Sequence, residues 1–207
     1  MSDIPWQPRF MAGLALACLG ALSGCLFQPR EAEPPRSGSE VVYLPRGEAI
    51  NVWGNAEISL NAIDAPGWGD AVGGEAAGSS FRYIPDSQTQ IDFPGVDWAS
   101  WSREQEMSFI NNFYNNVSAV VANLRYEDLD IGDPSGGAAD WRFTYLIDVT
   151  DVSGAVTRYG GTCEVMLRLR GSFWYIEEWI DEEGASDPDT GAILPTMGSL
   201  RGAFASK

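Results

Sequence analysis

Phe173-Trp-Tyr-Ile-Glu-Glu-Trp-Ile-Asp181 is predicted to form the last of four long β-strands, and its two tryptophans decide how that strand is shaped. Strict alternation would place Trp174 and Trp179 on opposite faces of the sheet. A β-bulge between them would return both indoles to one face and would bend the strand. Because burial removes ~150–250 Å² of each indole from water, we expect both tryptophans to be core residues rather than ligand contacts.

Three further segments with alternating apolar residues precede this strand. They contain Val120, Ala122, Leu124 and Tyr126; then Trp141, Phe143, Tyr145, Ile147 and Val149; and then Tyr159, Cys163, Val165, Leu167 and Leu169. Turn-forming residues separate the later segments at Asp151–Gly154 and Arg170–Ser172, as hairpins require. The second half of the chain therefore predicts a run of long antiparallel strands.

The first half of the chain predicts helices instead. An amphipathic helix is indicated by apolar residues at steps of three and four, and it is predicted to stop at Pro66-Gly67; these residues are Ile50, Trp53, Ala56, Leu60 and Ile63. Ser102-Arg-Glu-Gln105 matches a capping box, and the helix after it is predicted to run to about Asn116, with Met107, Ile110, Phe113 and Tyr114 on one face. A short strand is predicted at Ser80–Ile84. Helices followed by antiparallel strands are typical of an α+β domain.

Three short segments carry a resemblance to a known superfamily. They are Trp98-Ala-Ser-Trp101-Ser-Arg-Glu104-Gln-Glu106, Trp174-Tyr-Ile176-Glu-Glu-Trp179-Ile-Asp181 and Thr196-Met-Gly198-Ser-Leu200-Arg-Gly202. Over roughly residues 45–204 the chain resembles the NTF2-like, or cystatin-like cone, domains of bacterial lipoproteins. The resemblance implies N-terminal helices packed on a strongly bent antiparallel sheet of about four long strands plus a short one. It also implies a pocket at the open end of the cone.

The N-terminus resembles the signal peptide of a bacterial lipoprotein. An apolar run from Met11 to Leu22 is shorter than the ~20 residues of a membrane-spanning helix and fits a secretory segment. Leu22-Ser-Gly-Cys25 matches all four positions of the lipobox, which implies a diacylglycerol on Cys25 after cleavage at Gly24. We therefore expect a signal peptide at 1–24, a flexible Pro-rich tether at 25–40 and a globular domain at 41–207. The protein is then expected on the cell envelope, and Leu26 favours the periplasmic face of the outer membrane where the host has one.

Composition excludes several classes of function. The chain has 207 residues and a net charge of −16, which argues against nucleic acid as a partner. It contains no histidine, so Ser-His-Asp hydrolysis and histidine-bearing zinc sites are excluded. Cys163 remains the single cysteine once Cys18 leaves with the signal peptide and Cys25 is lipidated, and it is expected to be a small buried hydrophobe.

We expect neither a metal nor a cofactor. Two acidic segments, Asp128-Leu-Asp130-Ile-Gly-Asp133 and Asp187-Pro-Asp189-Thr-Gly191, carry carboxylates at alternating spacing, as calcium loops do. Glycine and proline nearby favour solvated turns, in which aspartate is common for backbone reasons.

Four residues are candidates for the lining of the cone: Tyr145, Tyr175, Glu164 and Glu177. A carboxylate with a raised pKa in an apolar pocket would act as a general base, but no catalytic motif matches residue by residue. We therefore favour a lipid-anchored protein that binds a small molecule or an envelope partner without catalysis. The alternatives are a structural module that forms homodimers through the open sheet face, and an enzyme of the isomerase or hydrolase type.

Overall fold

The computed structural model describes residues 41–73, 79–126, 134 and 136–205. The predicted signal peptide, the tether with Cys25, and the acidic segment from Asp128 to Asp133 lie outside these described residues. Among the helices of the described ranges, none combines the length and the apolar character needed to cross a membrane.

Helices pack on one side of a curled five-stranded sheet, as the predicted α+β class requires. The helices are α1 (Ala49–Ala62), α2 (Ala65–Ala71), α3 (Ser87–Asp92), α4 (Arg103–Tyr114) and α5 (Met197–Phe204), with a 3-10 turn at Trp98–Ser100. The strands are β1 (Arg82–Ile84), β2 (Val117–Tyr126), β3 (Ala138–Asp151), β4 (Val156–Arg170) and β5 (Phe173–Gly184), in the spatial order β1-β5-β4-β3-β2. The predicted sheet of four long strands and a short one is confirmed. One correction is that β1 runs parallel to β5, so the sheet is mixed rather than wholly antiparallel.

The predicted bulge in the last strand is confirmed. Met166 of β4 lies opposite Glu178, whereas the next residue, Leu167, lies opposite Ile176, so Glu177 is the extra residue of a bulge. The bulge returns Trp179 to the face that already carries Trp174, and the two indoles are 0% and 5% exposed. A second irregularity near Cys163 skips Glu182 and bends the same strand again. The two bulges help to curl the sheet around the helices.

The first helix ends earlier than the sequence predicts. Ile63 adopts a left-handed conformation, with φ of 54°, directly after the last helical residue. Pro66 and Gly67 therefore do not stop this helix but lie inside α2, where proline in the first turn lacks only an N–H that has no helical partner. Trp68, at the centre of this short helix, is fully buried. The turn between α1 and α2 thus positions the second helix so that Trp68 packs in the core.

The capping box at the start of α4 is confirmed. Ser102 Oγ accepts a hydrogen bond from Glu104 N, and Gln105 Oε1 accepts one from Ser102 N at 3.1 Å. The helix ends at Tyr114 rather than at Asn116. Of the predicted face, Ile110 and Phe113 are buried, and Met107 and Tyr114 are partly buried against the core. The buried face also contains Glu106 and Phe109, which were not predicted. A carboxylate therefore occupies the first position of an apolar stripe.

Side chains of α1 cover the open edge of the sheet at β2. The amide of Asn61 accepts a hydrogen bond from Ala122 N at 2.7 Å and donates one to Ala122 O at 3.2 Å. Glu57 accepts a further bond from Leu124 N at 2.8 Å. At Ala122 and Leu124 these contacts take the place of bonds that a sixth strand would make.

Candidate functional site

The four candidate residues named from the sequence do not come together. Tyr145 points into the interior and is 2% exposed. Glu164 is exposed on the outer face of the sheet, opposite Arg142. Glu177 is the bulge residue, and both its oxygens accept bonds from Arg170, at 2.7 and 2.6 Å. Tyr175 also lies on the outer face, with the Arg46 guanidinium 5.2 Å from its ring centroid. Their role in binding stays a prediction.

A buried carboxylate, Asp181, organises the interior of the cone. It accepts hydrogen bonds from Tyr83 Oη at 2.5 Å and Tyr145 Oη at 3.1 Å. Trp179 Nε1 and the backbone N–H of Gly198 donate to it as well, each at 2.8 Å. The donors come from β1, β3, β5 and the first turn of α5. One carboxylate therefore ties the closing helix to three strands.

A buried ion pair lies beside this carboxylate. Arg201 of α5 donates to both oxygens of Glu106 of α4, at 2.9 and 2.8 Å, and both side chains are 0% exposed. The indole N–H groups of Trp68 and Trp101 also donate to Glu106, at 3.2 and 2.8 Å. The Arg201 guanidinium stacks 4.0 Å from the ring centroid of Tyr83, which joins this pair to Asp181. We call Asp181, Glu106 and Arg201, together with the tyrosines and tryptophans that donate to the two carboxylates, the sealed polar centre.

Burial perturbs the titration of this centre. It raises the pKa of Tyr83 and of Tyr145 well above the usual 10.0, and the nearby Asp181 charge adds to the effect. Both hydroxyls therefore stay protonated and donate. Burial also raises the pKa of Asp181 above its usual 3.8, against the opposing influence of Arg201 and of the donors from Tyr83 and Trp179. For Arg201 burial lowers the pKa, but Glu106 more than offsets this, so the guanidinium stays charged.

A carboxylate with a raised pKa would suit acid–base chemistry if a substrate could reach it. Asp181 is 3% exposed, and Tyr83, Glu106 and Arg201 are fully buried. Neither of the two cavities described below is lined by any of them. Among the described residues, the sealed polar centre is therefore closed to solvent and holds α4 and α5 against the sheet.

Most of this centre was not predicted from the sequence, although two signals for it were present. Glu106 stands three, four and seven residues before Phe109, Ile110 and Phe113, which places it on their helix face. Asp181 follows Trp179 by two residues and continues the inner face of its strand. Tyr83 and Arg201 lie in short elements and carry no comparable signal.

An open groove lies at the end of the sheet, where the first turn of α1 faces β3 and β5. Its volume is about 510 Å³, and its lining includes Glu48, Ala49, Ile50, Trp141 and Trp174. Trp141 is half-buried and packs edge-on against Phe143, with ring centroids 6.2 Å apart. We call this the aromatic groove.

The rim of the aromatic groove is polar. Glu48 is exposed and is the N-cap residue of α1, but its side chain accepts no capping hydrogen bond from the first turn. The N–H groups of Ala49 and Ile50 therefore have no side-chain partner at the N-cap, whereas Asn51 N donates to Glu48 O at 3.2 Å. The groove offers apolar walls, N–H donors and one carboxylate acceptor.

A second cavity, of about 370 Å³, lies at the start of α4. Its lining includes Asp97, Ser100, Trp101 and Glu104. Ser100 Oγ donates to Asp97 at 2.7 Å, so the Asp97 carboxylate in this lining is already used in a local turn. The aromatic groove is therefore the larger and the more apolar of these two concave surfaces.

The acidic turn inside the described residues is held by its own backbone. Asp187 Oδ1 accepts hydrogen bonds from Asp189 N at 2.8 Å and Thr190 N at 2.9 Å. Arg158 pairs with Asp189 at 2.8 Å and with Asp187 at 3.4 Å. Asp187 therefore stabilises a charged surface turn, in line with the solvated turn that the sequence favours.

Comparisons with known proteins find likenesses to solved structures at low sequence identity. No protein-family model matches the chain, and no curated protein is similar to it. Similar solved structures include a conserved protein from Planctomyces limnophilus, with 18% identity and a TM-score of 0.48 over 64% of this chain and 91% of that one. An NTF2-like superfamily protein from Salmonella enterica has 14% identity and a TM-score of 0.40, over 68% and 92% of the two chains.

A hexachlorocyclohexane dehydrochlorinase from Novosphingobium barchaimii is also similar, with 10% identity and a TM-score of 0.43 over 65% of this chain and 83% of that one. At 10–18% identity these likenesses concern the course of the chain and not its chemistry.

Proposed function

We propose that this chain is a lipid-anchored protein of the bacterial envelope that binds a small molecule or a partner in the aromatic groove without transforming it. One observation carries the choice of binding over catalysis. The titratable groups of the sealed polar centre are buried and mutually paired, whereas the aromatic groove is open and is lined by half-buried Trp141 and by Trp174, a core residue that is 5% exposed. Small-molecule sites are mostly apolar, with a few polar groups that fix orientation, and the aromatic groove has this character.

The outer face of the sheet is less suited to a dimer interface. Arginine and acid side chains pair across neighbouring strands there, as in Arg168 with Asp140 at 2.5 Å and Arg158 with Asp148 at 2.7 Å. Exposed pairs of this kind contribute only ~0–1 kcal/mol to stability, but burying them in an interface would cost their hydration. A dry aromatic face would favour dimerisation, and this face is charged.

The proposed anchor rests on the lipobox at Cys25. Metabolic labelling of the full-length protein with a palmitate analogue should mark the wild type and not Cys25→Ala. Cys18→Ala is the matched control, because Cys18 lies inside the signal peptide, and it should keep the label. Label retained by Cys25→Ala would overturn the anchor while leaving the groove untouched.

Binding can be tested without knowing the natural ligand. The eight tryptophans of the chain are replaced by 5-fluorotryptophan, and ¹⁹F NMR spectra are recorded while neutral ring compounds, indole and N-acetylglucosamine, are added. The resonances of Trp141 and Trp174, assigned by Trp→Phe variants, should shift and saturate. Trp98 is half-buried outside the groove and serves as the reference. The proposal fails if neither compound moves the groove resonances, or if all resonances move alike.

A further inference from the structure

We infer that the aromatic groove takes a neutral hydroxylated ring, the sugar unit of a glycan, rather than a purely apolar or an anionic ligand. The inference rests on the proposed function and specifies the ligand class of the same groove. It follows from the combination of the half-buried Trp141 indole with a rim that carries both donors and an acceptor.

The walls favour a ring with an apolar face. Trp141 of β3 is half-buried and presents part of its indole to the groove, whereas Trp174 of β5 is 5% exposed and adds little accessible surface. Trp141 is also packed against Phe143, which limits its rotation. An indole offers a large flat apolar surface, on which the C–H face of a pyranose can lie. The volume of about 510 Å³ is within the ~300–1,000 Å³ typical of small-molecule sites.

The rim favours hydroxyl groups. A hydroxyl donates one hydrogen bond and accepts others, so it can donate to the Glu48 carboxylate and accept from the N–H groups of Ala49 and Ile50, which have no partner within the helix. A purely apolar ring would satisfy neither. The rim thus matches a ligand that carries several hydroxyls around an apolar face.

Charge disfavours an anion. Glu48 places a carboxylate on the rim, and the chain as a whole carries a net charge of −16. The nearby cation, Arg46, is engaged elsewhere, since it donates to Asp70 O at 2.5 Å and stacks on Phe173 and Tyr175. We therefore expect a neutral sugar to bind better than an acidic one.

Isothermal titration calorimetry with the neutral trimer of N-acetylglucosamine tests this inference on the full-length protein in detergent. The wild type should bind the trimer, and Trp141→Ala should weaken binding at least tenfold. Trp141→Phe, which keeps an aromatic ring, should weaken it less. Glu48→Ala should weaken binding several-fold, and glucuronic acid, an anionic sugar, should bind more weakly than the trimer. Trp98→Ala and Glu104→Gln, which change residues outside the groove, should bind as the wild type does. Thermal unfolding of each variant verifies that it is folded.

The outcomes separate the two proposals. If indole binds in a Trp141-dependent manner and the trimer does not, the saccharide class is wrong and the binding groove stands. If neither binds, both proposals are overturned. Trimer binding that is indifferent to Trp141→Ala would place the sugar elsewhere on the protein and would also overturn the inference, as would tighter binding of glucuronic acid than of the trimer.

Discussion

Replacing Glu106 with glutamine should strongly destabilise the fold, because the Arg201 guanidinium would lose its paired anion in a fully buried site. Both carboxylate oxygens are used: Oε1 accepts from Trp68 and Arg201, and Oε2 accepts from Trp101 and Arg201. Glutamine keeps the shape but offers a single acceptor oxygen, and its NH₂ group would face donors.

The size of the effect follows from this geometry. Removing one partner of a buried ion pair costs ~3–5 kcal/mol. The negative charge of Asp181 still stabilises the Arg201 guanidinium and reduces this cost, whereas the contact of the glutamine NH₂ with the groups that donated to Glu106 increases it. For a domain of this size 1 kcal/mol corresponds to ~2–4 °C, so the melting temperature should fall by about 6–20 °C. That is a large share of a total stability of ~5–15 kcal/mol.

Thermal and urea unfolding followed by circular dichroism measure the effect. Glu104→Gln is the matched control, because Glu104 is exposed two residues away on the same helix. Adding Arg201→Met to Glu106→Gln should recover part of the stability, since it removes the unpaired cation. The reasoning is refuted if Glu106→Gln melts within ~2 °C of the wild type, or if the double variant is less stable than Glu106→Gln alone.

Three further predictions follow from the contacts of single residues. Trp179→Ala should cost ~3–5 kcal/mol in chemical denaturation, whereas half-buried Trp98→Ala should cost less; equal costs would contradict the core assignment. Burial raises the pKa of Asp86, but hydrogen bonds from Thr196 and Thr89 outweigh burial and hold that pKa below its usual 3.8. The Asp86 carboxylate therefore stabilises the fold above pH 3.8, and this contribution to the free energy of unfolding is lost as the pH falls through the lower pKa of the folded state. The difference in unfolding free energy between wild type and Asp86→Asn should therefore be constant near neutrality and shrink below pH 3.8; a difference independent of pH would count against this. Asn61→Ala removes the hydrogen bonds to Ala122 N–H and C=O at the β2 edge, and it should shift the protein to larger species in size-exclusion chromatography with light scattering. Asn116→Ala, at an exposed site, is the control and should not change the size. Unchanged size in both variants would show that the edge is protected by other means.

The alternation of apolar residues was enough to predict the strands and the bulge of β5. Side chains two residues apart share a face of a strand, so Trp174 and Trp179 required an extra residue between them, and Glu177 supplies it. The capping box of α4 is equally local, because its two hydrogen bonds join residues three positions apart or fewer. These features depend on neighbours in the chain, and a sequence contains that information.

The pairing of buried charges was decided by the tertiary structure. Glu106 and Arg201 are 95 positions apart, and Tyr83 and Asp181 are 98 apart, so no local pattern links them. A lone carboxylate on an apolar stripe costs too much to bury without a partner, and that partner exists only once α5 closes on the sheet. The same closure seals the polar centre, whereas the aromatic groove depends on where the first turn of α1 packs near Trp141 and Trp174. Periodicity states which face a residue is on, whereas the chemistry of a site depends on which distant faces the fold brings together.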